Sequence, residues 1–170
     1  MNYFSLFDVP EQYQLDLNSV EQRYRTLQRL THPDRFASAG DQEKRMYMQK
    51  NAQVNDGFHV LKDIVKRGEH LLEVREVALP SEQETIGDTA FLMEQMELRE
   101  SLGNAGSLEE IMALISSISD STAEYVERID KLLASNTQED NQQAGIELSK
   151  LKFLKKIAAE AKTREQKETQ

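Results

Sequence analysis

Pro33 stands between two amphipathic stretches and must end the first of them. A proline has no backbone N–H and drives the residue before it out of the helical region, so a chain that is helical on both sides has to turn here. The upstream helix is expected from about Asn18 to Thr31 and the downstream one from about Asp41 to Asp56. His32 and Asp34 flank the break, an imidazole and a carboxylate projecting from a loop with nothing to bury them. A helical hairpin with His32-Pro33-Asp34 at its tip is therefore the first element of fold to expect.

Helical periodicity continues nearly throughout. Tyr3, Phe4, Leu6 and Phe7 suggest a short first helix ending before Pro10. Asn18-x-x-Glu21 reads as a capping box for the second, with Val20, Tyr24, Leu27 and Leu30 as its stripe. The third is apolar at Met48, Ala52, Val54, Phe58 and Leu61. After Ala78-Leu79-Pro80 three more starts appear, at Ser81-x-x-Glu84, Ser107-x-x-Glu110 and Thr137-x-x-Asp140. Segments punctuated by Gly103, Gly106 and Gly145 then read as three long helices, one spanning about Ile86 to Leu102. The middle one repeats Ile111, Leu114, Ile115, Ile118, Tyr125, Val126, Ile129 and Leu132–Leu133. The last repeats Leu148, Leu151, Leu154, Ala158 and Ala161, and its polar tail from Thr163 to Gln170 is expected to fray. Seven glycines and three prolines leave few tight turns, against a sandwich or barrel. The expectation is an all-α protein: residues 1–75, a join at 76–83, and an antiparallel three-helix bundle over 84–170.

Charge separates the two halves. Residues 1–75 carry 11 Lys/Arg and 11 Asp/Glu, whereas residues 84–170 carry 10 and 17, and the join adds Glu76 and Glu82. Phosphate binding needs a cationic excess that a net charge of −9 does not supply, so nucleic acid is not an expected partner. There is no cysteine, hence no disulfide framework, thiol nucleophile or sulfur ligand. His32, His59 and His70 lack ligand spacing, so neither a metal nor a cofactor is expected. No phosphate-cradling glycine loop is present. No apolar run approaches a membrane span and the opening Met1-Asn2-Tyr3-Phe4-Ser5 does not read as a targeting peptide, so a cytoplasmic protein is expected. A monomer is expected as well.

Arg25 and Arg29, four residues apart, share a helix face leading into His32-Pro33-Asp34, with Arg35 just beyond. Such a run is either an ordinary solvated face or a docking strip for an acidic partner. The order of a short helix, a helix with a basic face, His-Pro-Asp, and a third helix ending Val54-Asn55-Asp56-Gly57-Phe58-His59-Val60-Leu61 resembles the J-domain, the module that activates the ATPase of DnaK-class chaperones. Three departures are visible: Thr31 stands where an aromatic is usual, Arg35 where lysine is commoner, and Gly57 where alanine is usual. Propensity alone charges Gly57 about 1 kcal/mol against alanine in a helix.

In the second half, Phe91, Leu98 and Leu102 share a face that suffices for packing. Leu92, Met93 and Met96 fall on roughly the opposite face beside Glu97 and Glu100, and Phe153 points away from the stripe of Leu151, Leu154 and Ala158. Periodicity leaves two readings of this surplus, burial against the first half or an exposed apolar patch with acidic edges marking an interface. The run from Asp88 to Glu100, together with Asn2-Tyr3-Phe4-Ser5-Leu6-Phe7 and Lys150-Leu151-Lys152-Phe153-Leu154, resembles the HscB-type co-chaperones of iron–sulfur cluster assembly. The match weakens at Gly103-Asn104-Ala105-Gly106, where that family often continues an acidic helix.

The resemblance implies a non-enzymatic adaptor. Its J-domain would dock on a specialised DnaK-class chaperone, HscA, through Arg25, Arg29, His32, Pro33, Asp34 and Arg35. Its bundle would hold the cluster scaffold protein IscU through Leu92, Met93, Met96, Glu97, Glu100 and Phe153. A general J-protein presenting unfolded clients is the alternative, against which stands the lack of a Gly/Phe-rich linker and of cysteine zinc repeats. Last comes a plain helical protein with an accidental tripeptide.

Overall fold

The computed structural model describes residues 1–81, 83–84 and 87–169. It divides into two compact units, Met1–Arg75 and Glu76–Gln170. Every regular element among the described residues is helical.

The first unit comprises α1 (Tyr3–Leu6), α2 (Leu17–Thr31), α3 (Asp41–Lys62) and α4 (Ile64–Val74), with one 3-10 turn, Pro33–Phe36, between α2 and α3. The start of α2 differs from the expected capping box. Asp16 is the N-cap, its carboxylate accepting from the Asn18 N–H at 3.0 Å and the Ser19 hydroxyl at 3.0 Å, and Glu21 pairs instead with Arg25 at 2.7 Å. A carboxylate at the cap also meets the positive end of the helix dipole. Helix α3 runs past the expected Asp56 to Lys62, where Asp63 caps α4 by accepting from the N–H groups of Val65 and Lys66.

The core of this unit gathers Phe4, Phe7, Tyr13, Val20, Val54, Leu61, Val65, Leu71 and Leu72, all essentially inaccessible. Arg67 is buried with them; its Nε donates to the Tyr13 carbonyl at 2.6 Å and its Nη1 to the Leu61 carbonyl at 2.8 Å. A buried cation held this way ties the segment before α2 to the α3–α4 corner. Toward the hairpin tip the apolar pattern fails. Leu30 is 47% exposed and Met48 58%, and Ala52 is also exposed.

Gly57 reverses the expectation from propensity. A Cβ at this position would sit 2.8 Å from Tyr3 Cδ1 and 2.9 Å from Phe7 Cε2, and Phe7 is fully buried. The missing side chain is what lets α1 lie on α3. We expect Gly57→Ala to destabilise the protein by up to about 2 kcal/mol, the cost of overpacking (about 1–3) outweighing the propensity gain of about 1. A lower urea midpoint at unchanged m-value would record it; a more stable variant would show that α1 is free to shift.

His70 is 5% exposed, stacked on Phe4 at 5.4 Å and tilted against Tyr3 at 4.8 Å, and its Nε2 accepts from the Tyr3 N–H at 3.0 Å. Burial pushes the imidazole pKa down, more than the nearby Glu73 carboxylate raises it. The unfolded chain therefore takes up this proton at a higher pH than the folded one. The stability from His70 is complete above about pH 6.5 and is lost as the pH falls from there toward the folded pKa, at most about 1.4 kcal/mol per pH unit. Urea midpoints between pH 7.5 and 5.5 should decline for the wild type and flatten in His70→Gln. Parallel profiles would exclude His70 as the source.

The second unit is an up-down-up bundle of α5 (Thr89–Asn104), α6 (Leu108–Ser135) and α7 (Gln138–Glu168). Helix α5 begins at Thr89, with the Asp88 side chain accepting from the Phe91 N–H; the expected start at Ile86 lies outside the described residues, as do Glu82 and Gln170. Ser81 does accept from the Glu84 N–H at 3.3 Å. Ser107 and Thr137 cap α6 and α7 as expected, through the N–H groups of Glu110 and Asp140. The division at Gly145 is incorrect. The chain turns at Asn136, which adopts the left-handed conformation at φ 53°, and Gly145 is buried inside α7. Asparagine tolerates that region because its short side chain bonds locally.

The interior of this unit is Phe91, Leu102, Ile111, Ile118, Tyr125, Ile129, Leu133, Ala144, Leu148, Leu151, Leu154, Ile157 and Ala161. Ile157 takes the place expected for Ala158. The tail does not fray as expected, for α7 is helical to Glu168. Arg164 anchors it, donating to the carbonyls of Leu102 and Ala105 that α5 leaves open at its end.

Candidate functional site

The first candidate site is the hairpin tip. His32 caps the 3-10 turn, its Nδ1 accepting from the Asp34 N–H at 3.2 Å, and the Arg35 N–H donates to the His32 carbonyl at 3.0 Å. With Nδ1 accepting, the neutral ring carries its proton on Nε2. Asp34 keeps 94% of its side-chain surface, and its carboxylate lies 3.7 Å from His32 Nδ1. His32, Pro33, Asp34 and Arg35 are all exposed. An exposed carboxylate on a turn with internal hydrogen bonds is a preformed acceptor for a cation.

Arg25 and Arg29 are exposed on the same face of α2 and lead toward this turn. Arg25 is held by Glu21, so the strip is less free than its formal charge suggests. On the exit side of the turn Phe36 stacks on Tyr47 with ring centres 3.6 Å apart. On the entry side Thr31 is buried and bonded to Asn51. Neither contact follows from apolar periodicity, although Asn51 and Asn55, four apart, do place two amides on one face of α3.

The second candidate site lies on α5. Met93 is 57% exposed and Met96 70%, and Glu97 and Glu100 stand exposed beside them. Leu92 is half-buried at the edge of this patch. Phe153 is placed differently from expectation. It meets Phe91 edge-on, ring centres 5.8 Å apart at 89°, and lies under the Arg99 guanidinium at 5.5 Å, so only part of the ring is free. Arg99 in turn pairs with Glu160 at 3.2 Å.

What holds the patch rigid is also clear. Lys150 reaches Asp88 at 2.8 Å and Glu147 at 3.8 Å, tying the N-cap of α5 to α7, as Arg164 ties the last turn. The Asp88 carboxyl is held below its usual range by the hydrogen bond from Lys150 and then by the Phe91 N–H. Burial works to lower the Lys150 pKa, but the bond to Asp88 and the charge of Glu147 outweigh it and the net direction is up. Both groups therefore stay charged across the neutral range. A flexible thioether pair on a fixed helix, rimmed by carboxylates, suits an apolar partner surface with basic edges.

Among the described residues no cluster of His, Asp and Glu could hold a metal ion. No described helix is long and apolar enough to cross a membrane.

Comparisons with known proteins point to one family. The family model described as the HSCB C-terminal oligomerisation domain matches residues 87–162. The co-chaperone protein HscB homolog of Shewanella woodyi is 43% identical over 164 residues, covering 94% of each chain. Chaperone HscB from Vibrio cholerae superposes with a TM-score of 0.87 at 34% identity, over 98% of this chain and 99% of that one. The human co-chaperone protein HscB gives a TM-score of 0.89 at 28% identity, over 96% and 82%.

Proposed function

The chain belongs to the HscB family of co-chaperones, and from that premise we propose that it couples a DnaK-class chaperone of the HscA type to the iron–sulfur scaffold protein IscU. The observation that carries this reading is the pairing, in one chain, of an exposed carboxylate turn at the end of an arginine-bearing helix with an exposed Met93–Met96 patch rimmed by Glu97 and Glu100. Arg25, Arg29 and Arg35 give orientation and on-rate toward an acidic chaperone surface. His32-Pro33-Asp34 supplies the contact that triggers hydrolysis, Asp34 meeting a cation on the chaperone. Leu92, Met93, Met96 and the free part of Phe153 bury apolar surface of the scaffold, and Glu97 and Glu100 pair with its basic rim.

One chain holding both partners raises the effective concentration of scaffold at the chaperone without any further contact. The ATP is bound and hydrolysed by the chaperone, so the protein regulates another ATPase in the cytoplasm and has no turnover of its own. The test is steady-state ATP hydrolysis by HscA with the full chain, with and without IscU, beside calorimetric titration of IscU. Saturable one-to-one binding, and stimulation by chain and scaffold together exceeding the sum of each alone, is the expected result. Stimulation with no binding of IscU by the folded protein would reassign the bundle to another client.

A further inference from the structure

We propose that Asn51 is a positioning residue for the His32-Pro33-Asp34 turn, acting through Thr31; the inference rests on the chaperone-docking reading above. The turn itself is exposed and makes few contacts of its own, so something at its base must fix where it points. At the exit the Phe36–Tyr47 stack does so. At the entry the only residue of the region that is fully buried is Thr31, the last residue of α2, at 3% exposure.

Thr31 is held by a hydrogen-bonded chain that crosses between the two arms of the hairpin. The Tyr24 hydroxyl donates to Asn55 Oδ1 at 2.8 Å, Asn55 Nδ2 to Asn51 Oδ1 at 3.3 Å, and Asn51 Nδ2 to Thr31 Oγ1 at 3.1 Å. Thr31 Oγ1 closes the series by donating to the Leu27 carbonyl at 2.8 Å. Its direction is internally required. Once the threonine proton is given to Leu27, the oxygen can only accept, which demands the amide nitrogen of Asn51 and turns the Asn51 oxygen toward Asn55. Each link thus runs the same way, the arrangement in which successive bonds polarise one another.

Apolar packing is non-directional and tolerates a small axial slide, whereas this seam does not. Near the tip, where Leu30, Met46 and Met48 are exposed, this seam joins the arms at the entry to the turn as the Phe36–Tyr47 stack does at its exit. A slide of α2 along α3 would break the Thr31–Asn51 bond first, and would move the His32 carbonyl and the Asp34 carboxylate with it. Thr31 and Asn51 form a matched pair: a threonine at 31 is short enough to be buried, and an asparagine at 51 is long enough to reach it.

The test uses full-length Asn51→Ala, Thr31→Val and Thr31→Ser in a titration of chaperone ATPase, with the backbone amide resonances of Asp34 and Arg35 followed in the free protein. Asn51→Ala and Thr31→Val should lower maximal stimulation by up to about a hundredfold, the scale on which a 1 Å misplacement of a reacting contact acts. The half-saturating concentration, set by the arginine strip, should stay nearly unchanged. The Asp34 amide should shift or broaden in both, and Thr31→Ser, which restores the hydroxyl, should match the wild type. Asn51 is only half-buried and alanine favours helix, so Asn51→Ala decides the matter if Thr31→Val does not fold. Folded variants with wild-type maximal stimulation and an unmoved Asp34 amide overturn the positioning role and leave the docking reading intact. A wild type that gives no stimulation overturns the docking reading, and the role of Asn51 with it.

Discussion

Asp34→Asn should reduce stimulation of the chaperone ATPase to the basal rate while leaving the fold untouched. The side chain is 94% exposed and its only ion-pair neighbour among the described residues is His32 at 3.7 Å, so folding depends little on its charge. Its backbone N–H, which the cap at His32 uses, survives the substitution. On the docking reading proposed above, what is lost is the carboxylate that meets a cation of the chaperone. Removing one member of such a pair costs about 2–5 kcal/mol, roughly 30-fold to several thousand-fold in the coupled rate or affinity. The check is ATP turnover against co-chaperone concentration, beside a thermal melt of the variant. Neutralising Arg25 and Arg29 together should behave differently, raising the half-saturating concentration and weakening its dependence on salt. An Asp34→Asn protein that still stimulates would mean that the trigger lies outside the turn.

The second large effect belongs to the bundle. Met93→Ala/Met96→Ala should weaken scaffold binding about a hundredfold or more, since fully burying a methionine side chain is worth about 1.5–3 kcal/mol. These two are the clean probes, because both side chains are exposed in the free protein and their removal leaves no cavity. Phe153→Ala is a poorer test, for it also removes the edge-on contact with Phe91 and the surface under Arg99. Calorimetric titration of IscU with wild type and double variant reads the loss directly, and unchanged melting temperatures exclude unfolding as its cause. Equal affinities would move the scaffold site off α5. Glu97→Gln/Glu100→Gln should act chiefly on the association rate and its salt dependence.

Much of this was legible along the chain. The break at Pro33, the caps at Ser107 and Thr137, the stripe of α6, and the face on which Met93, Met96, Glu97 and Glu100 stand are all set by residues within a turn or two of one another. Other features were misjudged for an identifiable reason. Asp16 outcompeted Asn18 as the cap of α2 because a carboxylate fits both the open N–H groups and the dipole. Gly145 reads as a break, yet it is held inside α7, while Asn136 makes the turn.

Most helix positions, the all-α architecture and the residues that share a helix face follow from the order of side chains, because helical periodicity and capping are local. Tertiary structure alone decided the sign of Gly57, which depends on Tyr3 and Phe7 lying within 3 Å of where a Cβ would stand. It also decided the burial of His70 beneath α1 and the length of α7, which Arg164 anchors to carbonyls at the far end of α5. The same holds for the polar seam from Tyr24 to Thr31. Polar residues facing each other from separate helices leave no trace in a hydrophobic pattern, since their bonds exist only once the helices have been brought into register.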